Sequence, residues 1–439
     1  MTKSRMKSEV FTADIEAMQE ISKKHSIKNI IFYKWEKVEY IDLLSKLDQL
    51  GIFLYNYSNK SDLINQVSEL NKNFEIIFVN TTLELLINIA NDVKKSIWQK
   101  ITTNPKIYRN KFLQRELIQK HNPNLGVKFI KWTIETLKIE DIEKNVPYPF
   151  IIKPVDWVQS SWVAKIKNRN DFDNYISHYN EFHDRLELRW IHTKELLIEE
   201  FIDGTLYSVD YFVNQEWKII LTKPVKQRLL TDINFEDYWV LARISSKKTE
   251  SEFKWKKLSV FVSSTVEATW IKNTYVHHEF KINSKWELKT IEINWRIWGW
   301  RLELLKNAYW LNIYELVCNI ELKLPKLKEN NIVTNIYSTK KWILTSFNHN
   351  LIEKMKEKPS IYEIETDETA IWKEIWLTKD WFIKIWAIKM ANKNYDELAE
   401  DFKFVKKHYW DLLIVDEFEE SKKIKKKNIF KIFRNYLNI

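Results

Sequence analysis

Three oxygen-bearing side chains near residue 290 have the types and spacing to hold a hard cation. The stretch Thr290–Arg301 reads TIEINWRIWGWR. It opens as a strand, with Ile291 and Ile293 alternating with Glu292 and Asn294. Two residues apart, Glu292 and Asn294 share one strand face. Upstream, His278, Glu279 and Phe280 read as the end of a neighbouring strand, and a hairpin turn at Asn283–Trp286 would bring it alongside. Glu279, Glu292 and Asn294 would then present carboxylate and amide oxygens. That donor set suits Mg²⁺, or Mn²⁺ in its place, beside substrate phosphates. Arg296 follows on the same face and suits a phosphate or a developing oxyanion. An amphipathic hairpin with its acids in solvent would carry the same residues, and in isolation the two readings balance.

A second stretch, Phe150–Lys167, reads FIIKPVDWVQSSWVAKIK. Strands Phe150–Lys153 and Val163–Ile166 flank a loop carrying Trp157, Ser160, Ser161 and Trp162. Lys153 at the loop base brings a point charge fit for a phosphate. An ordinary long hairpin loop is the plainer alternative. A third stretch, Glu195–Phe201 (ELLIEEF), is a strand running into Ile202, Asp203 and Gly204. Glu199, Glu200 and the following backbone could bring a carboxylate and a main-chain edge to a purine base; a solvated strand end would look the same.

The composition holds one anomaly. The chain has 4 Gly and 21 Trp, where average Gly usage is about 7%. The tryptophans stand where glycines belong. Asn214–Lys218, Asn283–Glu287 and Thr378–Phe382 read as hairpin turns, and each contains a Trp at the position that needs positive φ. Trp310 follows a helix where a C′ glycine is expected. Some bacterial lineages read UGA as glycine and others as tryptophan. The hypothesis is that most of these tryptophans are UGA-encoded glycines; UGG at their codons would end it.

The elements that must position these groups follow from the hydrophobic pattern. Ile27–Tyr33, Ile52–Tyr55 and Phe74–Val79 read as strands separated by helical spacing over Tyr40–Leu50 and Lys60–Asn71. This predicts a small parallel α/β domain over residues 1–104, without a GxGxxG fingerprint. A helix over Lys111–His121, strands to about residue 224, a polar loop-like stretch at 227–257, and a helix Leu258–Thr269 lead to the Glu279 hairpin. Residues 321–439 read as a sheet-rich C-terminal lobe with strands Trp342–Phe347, Ile361–Ile364 and Phe382–Met390, a helix Tyr395–His408, and a strand Leu412–Val415.

The 439 residues suffice for two or three domains. Net charge is +10 with a pI of about 9.1, spread out except for Lys422–Lys427. That tail reads as a solvated charge run rather than a nucleic-acid or lipid contact. Cys318 is alone, which excludes a disulfide framework or a Cys metal site. The N-terminus has no apolar signal core, and no run is long enough to span a membrane. The expectation is a soluble cytoplasmic protein, with a homodimer as the default assembly.

With glycines restored, IIKPVDGVQSSGV, LLIEEFIDG, HHEF and IEINGRIGGGR occur in order. Together they resemble the ATP-grasp superfamily, in particular the carboxylate–amine ligases related to biotin carboxylase and the bacterial L-amino-acid ligases. The resemblance covers about residues 105–320. It implies an α/β (α+β) chain with the ATP-grasp fold, an N-terminal parallel α/β domain over 1–104 and a sheet-rich C-terminal lobe over 321–439. The ATP-grasp domain would span 105–320, with a flap subdomain at about 130–200. By the same resemblance Lys111 and Lys153 hold ATP phosphates under the loop Asp156–Val163, with Lys223 facing them too. Glu199, Phe201 and Ile202 form the hinge that receives adenine. Glu279, Glu292 and Asn294 are magnesium ligands, and Arg296 lies near the transferred phosphate. Members often carry an acid for the ribose where this chain has Leu206; Asp210 is the candidate substitute. Arg301 is a candidate clamp for a substrate carboxylate.

The implied reaction is phosphoryl transfer from ATP to a small-molecule carboxylate, then attack by an amine. An ATP-grasp carboxylase using bicarbonate is a second reading, which the absence of a biotin-carrier segment weakens. A non-catalytic nucleotide- or nucleic-acid-binding protein is a third.

Overall fold

The computed structural model describes residues 16–25, 27–33, 52–81, 86–101, 105–155, 163–177, 195–235, 239–297, 299–318, 324–338, 342–375 and 385–417. The helix read over Tyr40–Leu50, the loop residues Trp157, Ser160, Ser161 and Trp162, the turn Thr378–Phe382 and the basic tail lie outside them.

Strands β1 (Asn29–Tyr33) and β2 (Ile52–Asn56) pair in parallel, as the alternation of strand and helix predicts. The helix Lys60–Asn73 follows, its first turn capped by Asn59, whose side chain accepts from the Asp62 amide at 3.1 Å. The strand expected over Phe74–Val79 does not form: residues 74–81 join no ladder. Ile76 and Val79 pack on Leu63 and Val67, and the Gln99 side chain, not a neighbouring strand, donates to the Ile76 carbonyl.

Three antiparallel sheets build the rest, and two of them form the cleft. The smaller has β3 (Phe129–Thr133), β4 (Phe150–Pro154), β5 (Ala164–Ile166) and β6 (Glu195–Glu200) in the order β3–β6–β4–β5. The larger has nine strands. They are β7 (Thr205–Val213), β8 (Ile219–Leu221), β9 (Val225–Leu229), β10 (Val240–Ser245), β11 (Thr274–Ile282), β12 (Leu288–Asn294), β13 (Asn330–Ile336), β15 (Ile361–Thr366) and β17 (Trp386–Asn392). Their order is β12–β11–β7–β9–β10–β13–β17–β15, with β8 beside β7. This sheet crosses the division expected near residue 320. A further sheet of three strands joins β14 (Trp342–Phe347) to β16 (Glu374–Ile375) and β18 (Leu413–Glu417). The loop expected over 227–257 is instead central: β9 ends there, and all six residues of β10 are buried between β9 and β13. A strand covered on both faces loses the alternation that marks a half-exposed one.

The large sheet sorts its residues by parity. On β7, Tyr207, Val209 and Tyr211 pack with Leu258, Phe261 and Val262 of the helix Trp255–Thr269. So do Val276 and Phe280 of β11. Leu206, Ser208 and Asp210, with His277, Glu279 and Lys281, take the opposite face. No helix among the described residues is long and apolar enough to cross a membrane.

Eight non-glycine residues have positive φ among the described residues, and six are tryptophans: Trp98, Trp217, Trp270, Trp286, Trp310 and Trp372, at φ 51–65°. All six are solvent-exposed, from 43% to 93%. Two hairpin turns share one design. Asn214 Oδ1 accepts from the amides of Glu216 and Lys218, and Asn283 Oδ1 from those of Lys285 and Glu287. The left-handed residue is then Trp217 in one turn and Trp286 in the other. Trp310 follows the helix Gly299–Tyr309 and its amide returns to the Lys306 carbonyl at 2.7 Å, a C′ arrangement. Left-handed backbone favours residues without a Cβ, so these positions fit the glycine expectation.

Candidate active site

The chain crosses between the two sheets at residues 201–204. Gly204 sits there at φ +89°, where a Cβ would lie 1.9 Å from the Ile282 carbonyl oxygen. Glycine is therefore required at this crossing. The two sheets enclose a cleft of about 830 Å³, open mouth included. The smaller sheet contributes Ile151, Lys153, Glu199 and Glu200; the larger contributes Leu206, Leu229, Glu279, Lys281, Ile291 and Glu292. Lys111, Pro154, Val163, Phe201 and Ile202 complete the wall around these groups.

Lys111 opens the helix Lys111–His121, whose N-cap Asn110 accepts from the Leu113 amide at 2.9 Å. Its buried residues are Lys111, Gln114, Arg115 and Ile118, the spacing of one helical stripe. That stripe is mostly polar because Lys111 reaches the cleft, while Gln114 and Arg115 donate to the carbonyls of Ile107, Ile293 and Ile291 and to Glu199. Lys111 Nζ lies 2.9 Å from Glu292 Oε1. Burial raises the Glu292 carboxyl, but the Lys111 charge and hydrogen bond, with Lys153 and Asn294, together outweigh it and hold the group below its ordinary range.

Lys153 and Arg115 share Glu199. Lys153 Nζ is 2.5 Å from one carboxylate oxygen and Arg115 Nε 2.8 Å from the other. Burial pushes the Glu199 carboxyl up; the two cations reverse this and hold it down to about 2. Glu199 therefore lines the cleft as the anchor of its lysine, with both its oxygens engaged. Glu200, Phe201 and Ile202 line the hinge end. There the Lys281 ammonium donates to the Ile202 carbonyl at 2.8 Å. Burial, with Lys165 nearby, pulls its pKa down to about 8.

Glu279 and Glu292 are opposite one another in the β11–β12 ladder, and His277 is opposite Asn294. Asn294 is hydrogen-bonded to Glu292. Glu279 Oε1 accepts from Gln227 Nε2 at 3.0 Å and faces His277 Nε2 at 3.4 Å. Among the described residues no three His, Cys, Asp or Glu cluster as metal ligands; the set here is two carboxylates and an amide. Arg296 lies half-buried past the end of β12.

Three expected site residues are engaged with protein partners instead. Asp210 is fully buried, its oxygens bound by Arg301 and by His277 Nδ1, the latter at 2.8 Å. Arg301 is equally buried on Asp210 and Ser208, so it is not an open carboxylate clamp. Lys223 lies 3.9 Å from Glu250 and over the Trp255 ring, outside the cleft. His278, next to His277 in sequence, points to the opposite face and stacks on Phe261 at 5.0 Å. Arg115, Gln227, His277 and Lys281 were not singled out by sequence reading. Arg115 sits one helical turn after Lys111, and Lys281 and His277 flank Glu279 at strand spacing, so periodicity alone marks them.

Residues 146–303 match the family model described as the ATP-grasp domain. A comparison with curated proteins by sequence finds no match. Solved structures similar to the chain include the L-amino acid ligase from Bacillus licheniformis (TM-score 0.68, 14% identity, covering 92% of this chain and 95% of that one). A biotin carboxylase–β,γ-ATP complex from Campylobacter jejuni is also similar, at TM-score 0.57 and 12% identity over 92% of this chain and 90% of that one. So is N5-carboxyaminoimidazole ribonucleotide synthetase from Thermotoga maritima, at TM-score 0.52 and 16% identity over 89% and 100%. Residues 146–303 thus carry a match to the ATP-grasp domain across the junction of two antiparallel sheets, and the chain shares its fold with these solved structures.

Proposed function

We propose that the chain is an ATP-dependent, ADP-forming carbon–nitrogen ligase that activates a small-molecule carboxylate as an acyl phosphate for attack by an amine. The observation that carries this reading is the single cleft in which Lys111 and Lys153, from separate elements, face Glu279 and Glu292 of one hairpin. The similar L-amino acid ligase and N5-carboxyaminoimidazole ribonucleotide synthetase support it by fold.

ATP fits between the sheets with its base at the Phe201–Ile202 backbone and its phosphates toward Lys111 and Lys153. Glu279, Glu292 and Asn294 fit a hard divalent cation, since the donors are oxygens and Glu292 is held ionised by its neighbour. Magnesium bound there would neutralise charge on the phosphate oxygens. Lys153, fixed by Glu199, offers a preorganised charge to the phosphates. The substrate carboxylate oxygen attacks the γ-phosphorus and ADP leaves. The amine nitrogen then attacks the acyl carbon and phosphate leaves, with the amine giving up a proton. No protein nucleophile is needed.

ADP release with a panel of amino acids and other carboxylates, with amide products identified by mass, tests the reading. Release that requires bicarbonate instead would mark a carboxylase-type enzyme. No release with any carboxylate, together with salt-sensitive nucleic-acid binding, would sink the ligase reading.

A further inference from the structure

A line of buried charged groups runs from the helix Gly299–Tyr309 through the sheet to the cleft. Arg301 on the helix binds Asp210 on β7, Asp210 binds His277 on β11, and His277 reaches Glu279 two residues on. Arg301, Asp210 and His277 are each at most 1% exposed. Burying an ion network of this kind is no gain over packed apolar residues of the same volume, so its presence calls for another role. Its outer end supplies one. Among the described residues, the contacts to Glu279 from His277 Nε2 and Gln227 Nε2 reach the same oxygen, Oε1. A carboxylate held at one oxygen cannot rotate freely and presents the other in a fixed direction. Glu279 lines the cleft.

We infer that Asp210, His277 and Gln227 are positioning residues for Glu279, with Arg301 fixing Asp210 from behind. The inference deepens the ligase reading and rests on Glu279 being a cation ligand. Partners that orient a ligand typically change metal affinity 10- to 100-fold when lost. A merely structural residue would weaken binding whether or not Glu279 is intact.

The test is the affinity of the full chain for Mn²⁺ at saturating ADP, read by electron paramagnetic resonance. Asp210→Asn and Gln227→Met are each expected to weaken it by roughly 10- to 100-fold. Adding Asp210→Asn to Glu279→Gln is expected to produce no further loss, because the residue through which it acts is already gone. Gln227→Met keeps roughly the same volume and removes the donor to Glu279 together with an amide oxygen that has no hydrogen-bond partner among the described residues, so it carries the test if Asp210→Asn does not fold. Unchanged affinity in Gln227→Met, or an undiminished effect of Asp210→Asn on the Glu279→Gln background, would overturn the positioning role. Unchanged affinity in Glu279→Gln alone would instead overturn the ligand assignment beneath it.

Discussion

Trp98 offers a clean measure of what the left-handed tryptophans do to this fold. It follows the helix Ile87–Ser96 at φ 61° and is 93% exposed. Its amide donates to the Lys95 carbonyl at 3.1 Å, and the Gln99 amide to the Lys94 carbonyl at 2.9 Å. The backbone is thus committed to the turn, and the indole contributes almost no buried surface. A bulky residue at positive φ costs about 1–3 kcal/mol. Replacing it by glycine recovers that cost but adds about 0.5–1 kcal/mol of unfolded-chain entropy. Loss of the little burial subtracts a few tenths more, on the order of 25 cal/mol per Å². Trp98→Gly should therefore stabilise the chain by about 1 kcal/mol, seen as a higher urea midpoint at unchanged slope. Trp98→Ala keeps the Cβ and the strain, so it should gain far less. An alanine variant as stable as the glycine variant, or a glycine variant less stable than the parent, would refute the reasoning. Trp217 should gain less than Trp98, because it packs edge-on against Trp270 with Lys272 over its ring.

The remaining predictions concern the cleft. Glu199→Gln leaves Arg115 and Lys153 buried without their counter-ion and should destabilise by about 3–5 kcal/mol in chemical unfolding. Because the folded-state pKa of Glu199 is depressed to about 2, its stabilisation is complete above the unfolded value near 4.5 and is lost as pH falls toward 2. Urea midpoints from pH 2 to 6 should show this slope, and Glu199→Gln should flatten it. Lys281 is pulled down to about 8, so an anionic nucleotide in the cleft should raise its pKa and cause proton uptake at pH 8. Calorimetry in two buffers of different ionisation enthalpy measures the uptake, and Lys281→Met should abolish it. Lys111→Met should slow ADP release by about 10²- to 10³-fold, the scale of losing one preorganised charge; an unchanged rate would remove Lys111 from the phosphate site.

Local signals carried far along this chain. The helix Lys111–His121 and the strand Trp342–Phe347 fall on the residues that periodicity marks, because each has one face in the core. The pairing of Glu279 with Glu292 was legible from a turn between two alternating runs. What stayed hidden depends on partners remote in sequence. Asp210 alternates onto the cleft side of β7, but its partner Arg301 comes from 91 residues away, and no local pattern announces that contact. Glu199 likewise owes its role to Lys153 and to Arg115, 84 residues earlier. β10 was lost because burial on both faces erased its alternation, and 74–81 misled because an apolar run can pack without joining a sheet.

The cleft wall carries Lys111, Lys153 and Lys281 beside Glu199, Glu200, Glu279 and Glu292. Its charges nearly cancel, and two of the lysines already hold acids as partners. A nucleotide arriving alone would meet carboxylates, and a bare cation would meet ammonium groups; each is discouraged by the half of the lining that the other would welcome. On the proposed reading, a nucleotide and a divalent cation arriving together would satisfy both halves of this lining at once.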